Sequence, residues 1–140
     1  MTEICNKRVL RVFYSVLVVF LILFLALTIA TLSTLPTRDH RDNLNAQVIR
    51  GKTVWETNHC IGCHTLLGEG AYYAPELGNV YKRRGANIIK AWMKSMPTNA
   101  KGRRQMPQFD LSEEDLEALI AFLKWTSEIN TANWPPNLEG

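Results

Sequence analysis

The sequence predicts an all-α protein made of a single N-terminal transmembrane helix and one small helical domain. Three observations favour this class: an uncharged apolar run at residues 12–32, helical spacing of apolar residues further on, and no strand pattern of useful length. A chain of 140 residues has room for one small domain beside such a helix. The expected organisation is an N-terminal segment (1–11), an anchor (12–33), a tether (34–43), a helical domain (44–127) and a C-terminal tail (128–140).

The apolar run is long enough to cross a bilayer. Its 21 residues would form about 31 Å of helix at about 1.5 Å per residue. A cleavable signal peptide is the alternative, but its apolar region is usually shorter, about 7–15 residues, and residues 32–36 offer a poor cleavage site. Lys7, Arg8 and Arg11 precede the run, so the positive-inside rule places the N-terminus in the cytoplasm and the domain outside, in the periplasm of a bacterium.

The formal net charge of +3 comes mostly from the flank of the anchor, so it gives no support for nucleic-acid binding. The other charges are segregated along the chain. Residues 82–104 contain eight basic and no acidic residues, whereas residues 110–117 contain five acidic and no basic ones. These two blocks are interpreted either as solvated faces or as a docking surface.

Three helices are expected in the domain. Residues 44–58 place apolar residues on one helical face, and that face includes Gly51 and Trp55. A glycine lowers helix propensity, so its presence there indicates close approach of a second helix. A long loop over residues 61–84 and a short helix over residues 87–96, which stops before a proline, are predicted to follow.

The last helix has the clearest signals. Ser112 is a good N-cap, and Asp115 occupies the capping-box position three residues later. The apolar face that follows consists of Leu116, Leu119, Ile120 and Leu123.

Cys60, Cys63 and His64 form a C-x-x-C-H motif, which is the attachment signature of a c-type haem. Two thiols at this spacing can reach both vinyl groups of a porphyrin, and the next residue then brings an imidazole to the iron. The motif therefore predicts one covalent haem c, with Cys60 and Cys63 as the thioether cysteines and His64 as an axial ligand.

Other uses of the same residues are less consistent with the sequence. A thioredoxin-like C-x-x-C needs a βαβ context, which is not visible. A structural zinc site needs four ligands, and of the remaining candidates Cys5 lies across the membrane. A disulfide between Cys60 and Cys63 would leave His64 unexplained.

Met106 is the expected second axial ligand of the iron. It lies in a polar loop before Pro107, where a methionine has little core to fill. His/Met ligation closes the iron to outside ligands and suits single-electron transfer. A haem with an open position, as in a peroxidase, is the alternative. The other candidate ligands are Met93, Met96, His40 and His59.

These features together resemble a class I cytochrome c over residues 44–125. In that family the first and last helices cross at a glycine and an aromatic residue, which implies that Gly51 and Trp55 meet Phe122 here. The resemblance also implies that the backbone carbonyl of Pro75 accepts the proton of His64 and so orients the axial ligand.

A closer resemblance is to the small subunit of the cytochrome c-dependent nitric oxide reductases. The resemblance rests on the anchor and on residues 50–52, 55–56, 60–64, 67–79, 102–109, 122–126 and 134–137. The resemblance implies a bacterial inner-membrane heterodimer with a large catalytic subunit that holds b-type haems and a non-haem iron and reduces NO to N2O. It also implies a periplasmic electron donor, either a small cytochrome c or a copper protein, and no catalysis by this chain alone.

Two further expectations concern single residues. The resemblance implies a calcium ion at the subunit junction, with the Gly70 carbonyl and Tyr72 as its ligands on this side; the residues alone indicate a turn and an interface or core aromatic. Arg103 and Arg104 flank the methionine loop, so either one pairs with a haem propionate or both are solvated.

Three other roles remain open. They are an electron-entry subunit of a haem-copper oxidase, a free-standing anchored cytochrome c, and a mainly structural subunit.

Overall fold

The computed structural model of the protein describes residues 2–96, 101–102 and 105–134, with side chains from Asn6 onward. It comprises two compact units, residues 1–37 and 38–140. The elements in chain order are α1 (Thr2–Asp39), α2 (Ala46–Thr57), β1 (Thr65–Leu66), β2 (Glu69–Gly70), α3 (Val80–Ser95) and α4 (Glu113–Glu128), with single turns of 3-10 helix at Arg41–Asn43 and Cys60–Gly62. This mostly helical content confirms the predicted fold class.

Helix α1 is longer than the predicted anchor. Its segment Asn6–Asp39 is long and apolar enough to cross a membrane. The 38 residues of α1 extend about 57 Å at about 1.5 Å each, beyond a hydrocarbon core of about 30 Å. The predicted tether is therefore helical over residues 34–39, although it contains Pro36. Pro36 has no backbone N–H to donate within the helix, and membrane-spanning helices tolerate this loss.

Helices α2 and α4 cross at Gly51, as the sequence predicts. The side chain of Asn45 caps α2 by accepting a hydrogen bond from the Val48 N–H at 3.0 Å. A Cβ atom on Gly51 would lie 2.0 Å from the carbonyl oxygen of Ala118, so only a glycine allows this approach. The rings of Trp55 and Phe122 pack beside the crossing, with their centroids 6.3 Å apart.

Helix α4 supplies five of the twelve buried apolar residues in the core of the second unit. Its cap is the predicted one, because the Asp115 N–H donates to Ser112 Oγ at 3.1 Å. The buried apolar residues of this core are Val48, Val54, Trp55, Cys60, Val80, Ile89, Met93, Leu116, Leu119, Ile120, Phe122 and Leu123. The predicted apolar face of the helix is fully included in this set.

Helix α3 begins at Val80, inside the segment that the sequence predicts to be a loop. Gly85 interrupts it with a φ of 74° and a ψ of 163°, so the element consists of two helical pieces. The predicted helix over residues 87–96 corresponds to the second piece. The first piece is not predicted because Gly85 separates it from the periodic apolar pattern.

A two-stranded antiparallel hairpin follows the C-x-x-C-H motif. Thr65 pairs with Gly70 and Leu66 with Glu69. The turn uses Leu67 at a φ of 54° and Gly68 at a φ of 88°. Strands of two residues are too short to produce an alternating pattern, which is why the sequence does not predict them.

Candidate functional site: the C-x-x-C-H segment and its hydrogen-bonded partner strand

The two motif cysteines lie directly after α2. Cys60 opens the 3-10 turn and is buried, whereas Cys63 is partly exposed. Both side chains are free thiols rather than a disulfide. Burial raises the pKa of the Cys60 thiol above its ordinary value. The turn thus presents two unpaired sulfurs at the spacing that thioether attachment requires.

His64 is buried, and its two ring nitrogens differ in their surroundings. Nδ1 lies 2.7 Å from the carbonyl oxygen of Pro75, and since a carbonyl can only accept, Nδ1 carries the proton. Nε2 is buried and has no hydrogen-bond partner among the described residues. The ring also lies beside Trp55, at a centroid distance of 6.4 Å. An imidazole fixed in this tautomer presents a bare Nε2 lone pair, which is the form that binds a metal.

A ladder of hydrogen bonds joins the motif to a second segment. We call residues 74–78 the Pro75 strap. Its bonds to residues 63–67 are Ala74 N–H to the Cys63 carbonyl (2.8 Å), His64 Nδ1–H to the Pro75 carbonyl (2.7 Å), Leu77 N–H to the Thr65 carbonyl (2.9 Å) and Leu67 N–H to Glu76 Oε1 (2.9 Å). The strap therefore lies alongside residues 63–67 and is hydrogen-bonded to them.

Glu76 is the residue of this ladder that the sequence does not predict. Its Oε1 accepts the N–H groups of Leu67 at 2.9 Å and Gly78 at 2.7 Å, and its Oε2 lies 3.5 Å from the Gly68 nitrogen. The sequence offers one weak signal, a carboxylate between Pro75 and a glycine-containing turn. Its partners in the hairpin turn lie eight and nine residues away, where no local rule connects them.

Met106 is half-buried and packs against the core. Its loop is attached to α3 by Gln108, whose Nε2 donates to the Met93 carbonyl at 2.9 Å. Met93 is itself a core residue and Met96 is buried. The two other candidate ligands, His40 and His59, are exposed residues with left-handed backbone angles.

Of the predicted calcium ligands, Gly70 ends strand β2 and Tyr72 follows two residues later. A Cβ on Gly70 would come within 2.4 Å of the His64 carbonyl oxygen, so close approach of the motif backbone explains this glycine. Tyr72 is 80% exposed. Arg103 and Arg104 lie outside the described residues. Within the described ranges, no three His, Cys, Asp or Glu side chains cluster in a way that could hold a metal ion.

The two charge blocks of the sequence meet in the structure. Lys90 forms ion pairs with Glu113 and Glu117, and Lys94 pairs with Glu113 at 2.5 Å. On the other side of α4, Arg50 pairs with Asp115 at 2.9 Å and also with Glu114. Four of the five acidic residues of this block thus form ion pairs with basic residues of α2 and α3. Hydrogen bonds from the Lys90 and Lys94 side chains to the Glu113 carboxylate lower the pKa of that carboxyl.

The arrangement fits a covalently attached haem c. Two free thiols precede a buried histidine, whose Nε2 lacks a partner and whose Nδ1 is fixed by a backbone carbonyl. A helical domain with this site is a cytochrome c domain, and the cytochrome c family model matches residues 48–127. Over its whole length the chain is similar to the C subunit of nitric oxide reductase from Stutzerimonas stutzeri (51% identical) and from Paracoccus denitrificans (50%), covering the whole of each.

A third relative, the C subunit of nitric oxide reductase from Halomonas halodenitrificans, is 39% identical over 93% of both chains. The chain belongs to this family of nitric oxide reductase subunits, which confirms the resemblance drawn from the sequence. It is a membrane cytochrome c that serves as an electron-transfer subunit.

Proposed function

We propose that this chain receives single electrons from a periplasmic donor, a small cytochrome c or a copper protein, and passes them to a large catalytic membrane subunit that reduces NO to N2O. The full-length similarity to nitric oxide reductase subunits carries the proposal. The catalytic subunit holds b-type haems and a non-haem iron, and the two chains form a heterodimer.

The proposed haem site uses four side chains of this chain and one backbone carbonyl. Cys60 and Cys63 form the thioether bonds, His64 and Met106 are the axial ligands, and Pro75 orients His64. A bound haem c supplies reversible one-electron oxidation and reduction of its iron, which is the only chemistry the function needs. The bare, buried Nε2 of His64 supports its assignment. The assignment of Met106 rests on the sequence and the resemblance, because Met106 packs against the core, contrary to the expectation that it has little core to fill.

We further propose the orientation and the interface. The basic N-terminal flank places residues 1–11 in the cytoplasm, so the haem domain lies in the periplasm of a bacterial inner membrane. The Gly70 carbonyl and the exposed Tyr72 ring contribute to a calcium site at the junction with the catalytic partner. Arg103 or Arg104 pairs with a haem propionate.

The test is affinity purification of the tagged chain from gently solubilised native membranes. Haem types and NO consumption of the purified material are measured. The proposal expects b-type haem to co-purify with NO consumption driven by a reduced donor. Recovery of c-type haem alone, with no NO consumption, would contradict it and leave a free-standing anchored cytochrome.

A Cys60→Ala/Cys63→Ala variant is the matched control for a merely structural role. Its complex should assemble yet accept no electrons from the donor. Full turnover by this variant would show that the haem of this chain is dispensable.

A partial match to cytochrome c oxidase subunit 2 of Alkalihalophilus pseudofirmus favours the second candidate function, electron entry to an oxidase. That match is 37% identical over 54% of this chain and covers 24% of the relative. Oxygen consumption rather than NO consumption by the purified complex would support it.

A further inference from the structure

We propose that Glu76 is a positioning residue for the axial histidine. Its carboxylate fixes the Pro75 strap against the hairpin turn, and so fixes the carbonyl that holds His64. The inference rests on the proposed ligation of the haem iron by His64 and adds a residue that determines how firmly that ligand is held.

The first step is the connection between the strap and the ring. Pro75 contributes its carbonyl to His64 Nδ1 at 2.7 Å but has no N–H of its own. It also lies on the exposed side of the strap. The position of that carbonyl therefore depends on the bonds made by its neighbours, Ala74 on one side and Glu76 with Leu77 on the other.

The second step is the geometry of the carboxylate. Two N–H groups, from Leu67 and Gly78, converge on Glu76 Oε1 at 2.9 and 2.7 Å. Leu67 lies at a φ of 54°, an unfavourable angle for this residue, and the carboxylate stabilises that conformation. A Cβ at Gly78 would lie 2.7 Å from Oε1, so Gly78 makes room for the carboxylate.

The third step is the backbone of Glu76 itself. Its carbonyl oxygen accepts a hydrogen bond from Arg83 Nη2 at 2.5 Å, and Arg83 Nε donates to Asn79 Oδ1 at 2.6 Å. Arg83 lies in the first piece of α3, and burial lowers the pKa of its guanidinium. Glu76 thus connects the strap to the hairpin through its side chain and to α3 through its backbone.

The consequence is electronic as well as structural. An imidazole whose Nδ1–H donates to a carbonyl is a more basic ligand at Nε2. A strap released from the hairpin turn would lengthen that bond, weaken the ligand and favour the reduced iron. Loss of the contact should therefore raise the reduction potential and expose the His64 ring N–H to exchange with solvent.

Two substitutions of Glu76 distinguish the effect of its side-chain length from the effect of its charge. Glu76→Asp keeps the charge but withdraws the carboxylate by one methylene, whereas Glu76→Gln removes the charge but keeps an oxygen within reach of both N–H groups. Both are made in the full-length haem-loaded protein in detergent. Hydrogen exchange of the His64 ring N–H is followed by NMR in the reduced state, and the potential by redox titration. Glu69→Gln, which changes an exposed carboxylate of the hairpin, is the control.

The proposal expects ring N–H exchange about tenfold faster in Glu76→Asp, with a raised potential, and exchange close to wild type in Glu76→Gln and Glu69→Gln. Wild-type exchange and potential in Glu76→Asp would overturn it. Equal acceleration in Glu76→Asp and Glu76→Gln would overturn it too, since the effect would then not depend on whether an oxygen reaches both N–H groups. A wild-type chain without a c-type haem spectrum would instead contradict the proposed function, so the two failures are distinguishable.

Discussion

At the scale of single residues, the site combines what a local motif can predict with what it cannot. The motif residues Cys60, Cys63 and His64 are contiguous or nearly so in the sequence, so the sequence alone predicts their chemistry. The bond from His64 to Pro75 is expected from family resemblance, and the structure contains it at 2.7 Å. The role of Glu76 is not predictable in this way, because its partners lie across a hairpin that has no sequence signature.

The assignment of Met106 gives a prediction at this scale. Met106→Ala should open the iron to carbon monoxide, because the second axial position loses its protein ligand. The optical spectrum of the reduced variant should change on addition of carbon monoxide, whereas that of the wild type should not.

Met93→Leu is the matched control for this experiment. Met93 is a core residue, and leucine conserves its volume, so this variant should stay closed to carbon monoxide. A closed iron in Met106→Ala together with an open one in Met93→Leu would show that the wrong methionine was assigned.

At the scale of elements, the sequence predicts best where a helix carries both periodicity and caps. Helix α4 has an N-cap, a capping-box position and an apolar face, and it lies where it is expected. The observed bounds of helices α1 and α3 differ from the predicted ones, because these boundaries depend on tertiary context. Helix α1 continues through Pro36 to Asp39, and α3 begins before Gly85, although proline and glycine usually mark interruptions.

The crossing of α2 and α4 gives a prediction for Gly51. Gly51→Ala would place a methyl group 2.0 Å from the Ala118 carbonyl oxygen and 2.7 Å from Phe122 Cβ, which forces the two helices apart. We expect a loss of about 1–3 kcal/mol in the free energy of unfolding, the usual cost of overpacking. Chemical denaturation of the haem-loaded protein measures it.

Gln47→Ala, which changes an exposed residue of α2, is the control for that substitution. Its stability should stay close to that of the wild type. Equal stability of the Gly51→Ala and Gln47→Ala variants would contradict the tight crossing.

At the scale of the whole molecule, residues of the basic and the acidic block form ion pairs with each other. Their separation in sequence leaves open whether they form solvated faces or a docking surface. The structure pairs the acidic residues at the start of α4 with Lys90, Lys94 and Arg50. Pairing between distant segments is a property of the tertiary fold, so the sequence alone could not decide between the two.

This pairing predicts how stability depends on pH. The pKa of Glu113 is lowered first by its hydrogen bonds to Lys90 and Lys94, and that of Asp115 first by Ser112 and then by Arg50. Carboxyls with a lower pKa in the folded state stabilise the fold above their unfolded pKa, and this contribution is lost as the pH falls through the folded value. The melting temperature should therefore fall below about pH 4.5, and less steeply in Glu113→Gln.

The same cluster has an alkaline limit. The pKa of Lys90 is raised by Glu113 and Glu117, so its contribution to stability persists through neutral pH and is lost only as the pH rises through that raised value.

Glu69→Gln, which removes an exposed carboxylate of the hairpin, is the control for the acid experiment. It should leave the slope of melting temperature against pH in acid unchanged. An unchanged slope in Glu113→Gln would show that the pairs contribute nothing.

The burial of Cys60 determines the order of events in the biogenesis of this protein. Thioether formation needs a sulfur that an attachment enzyme can reach and that is readily deprotonated. In the folded domain Cys60 belongs to the buried core, and that burial raises the pKa of its thiol. We therefore expect the covalent bonds to form before the domain folds around Cys60.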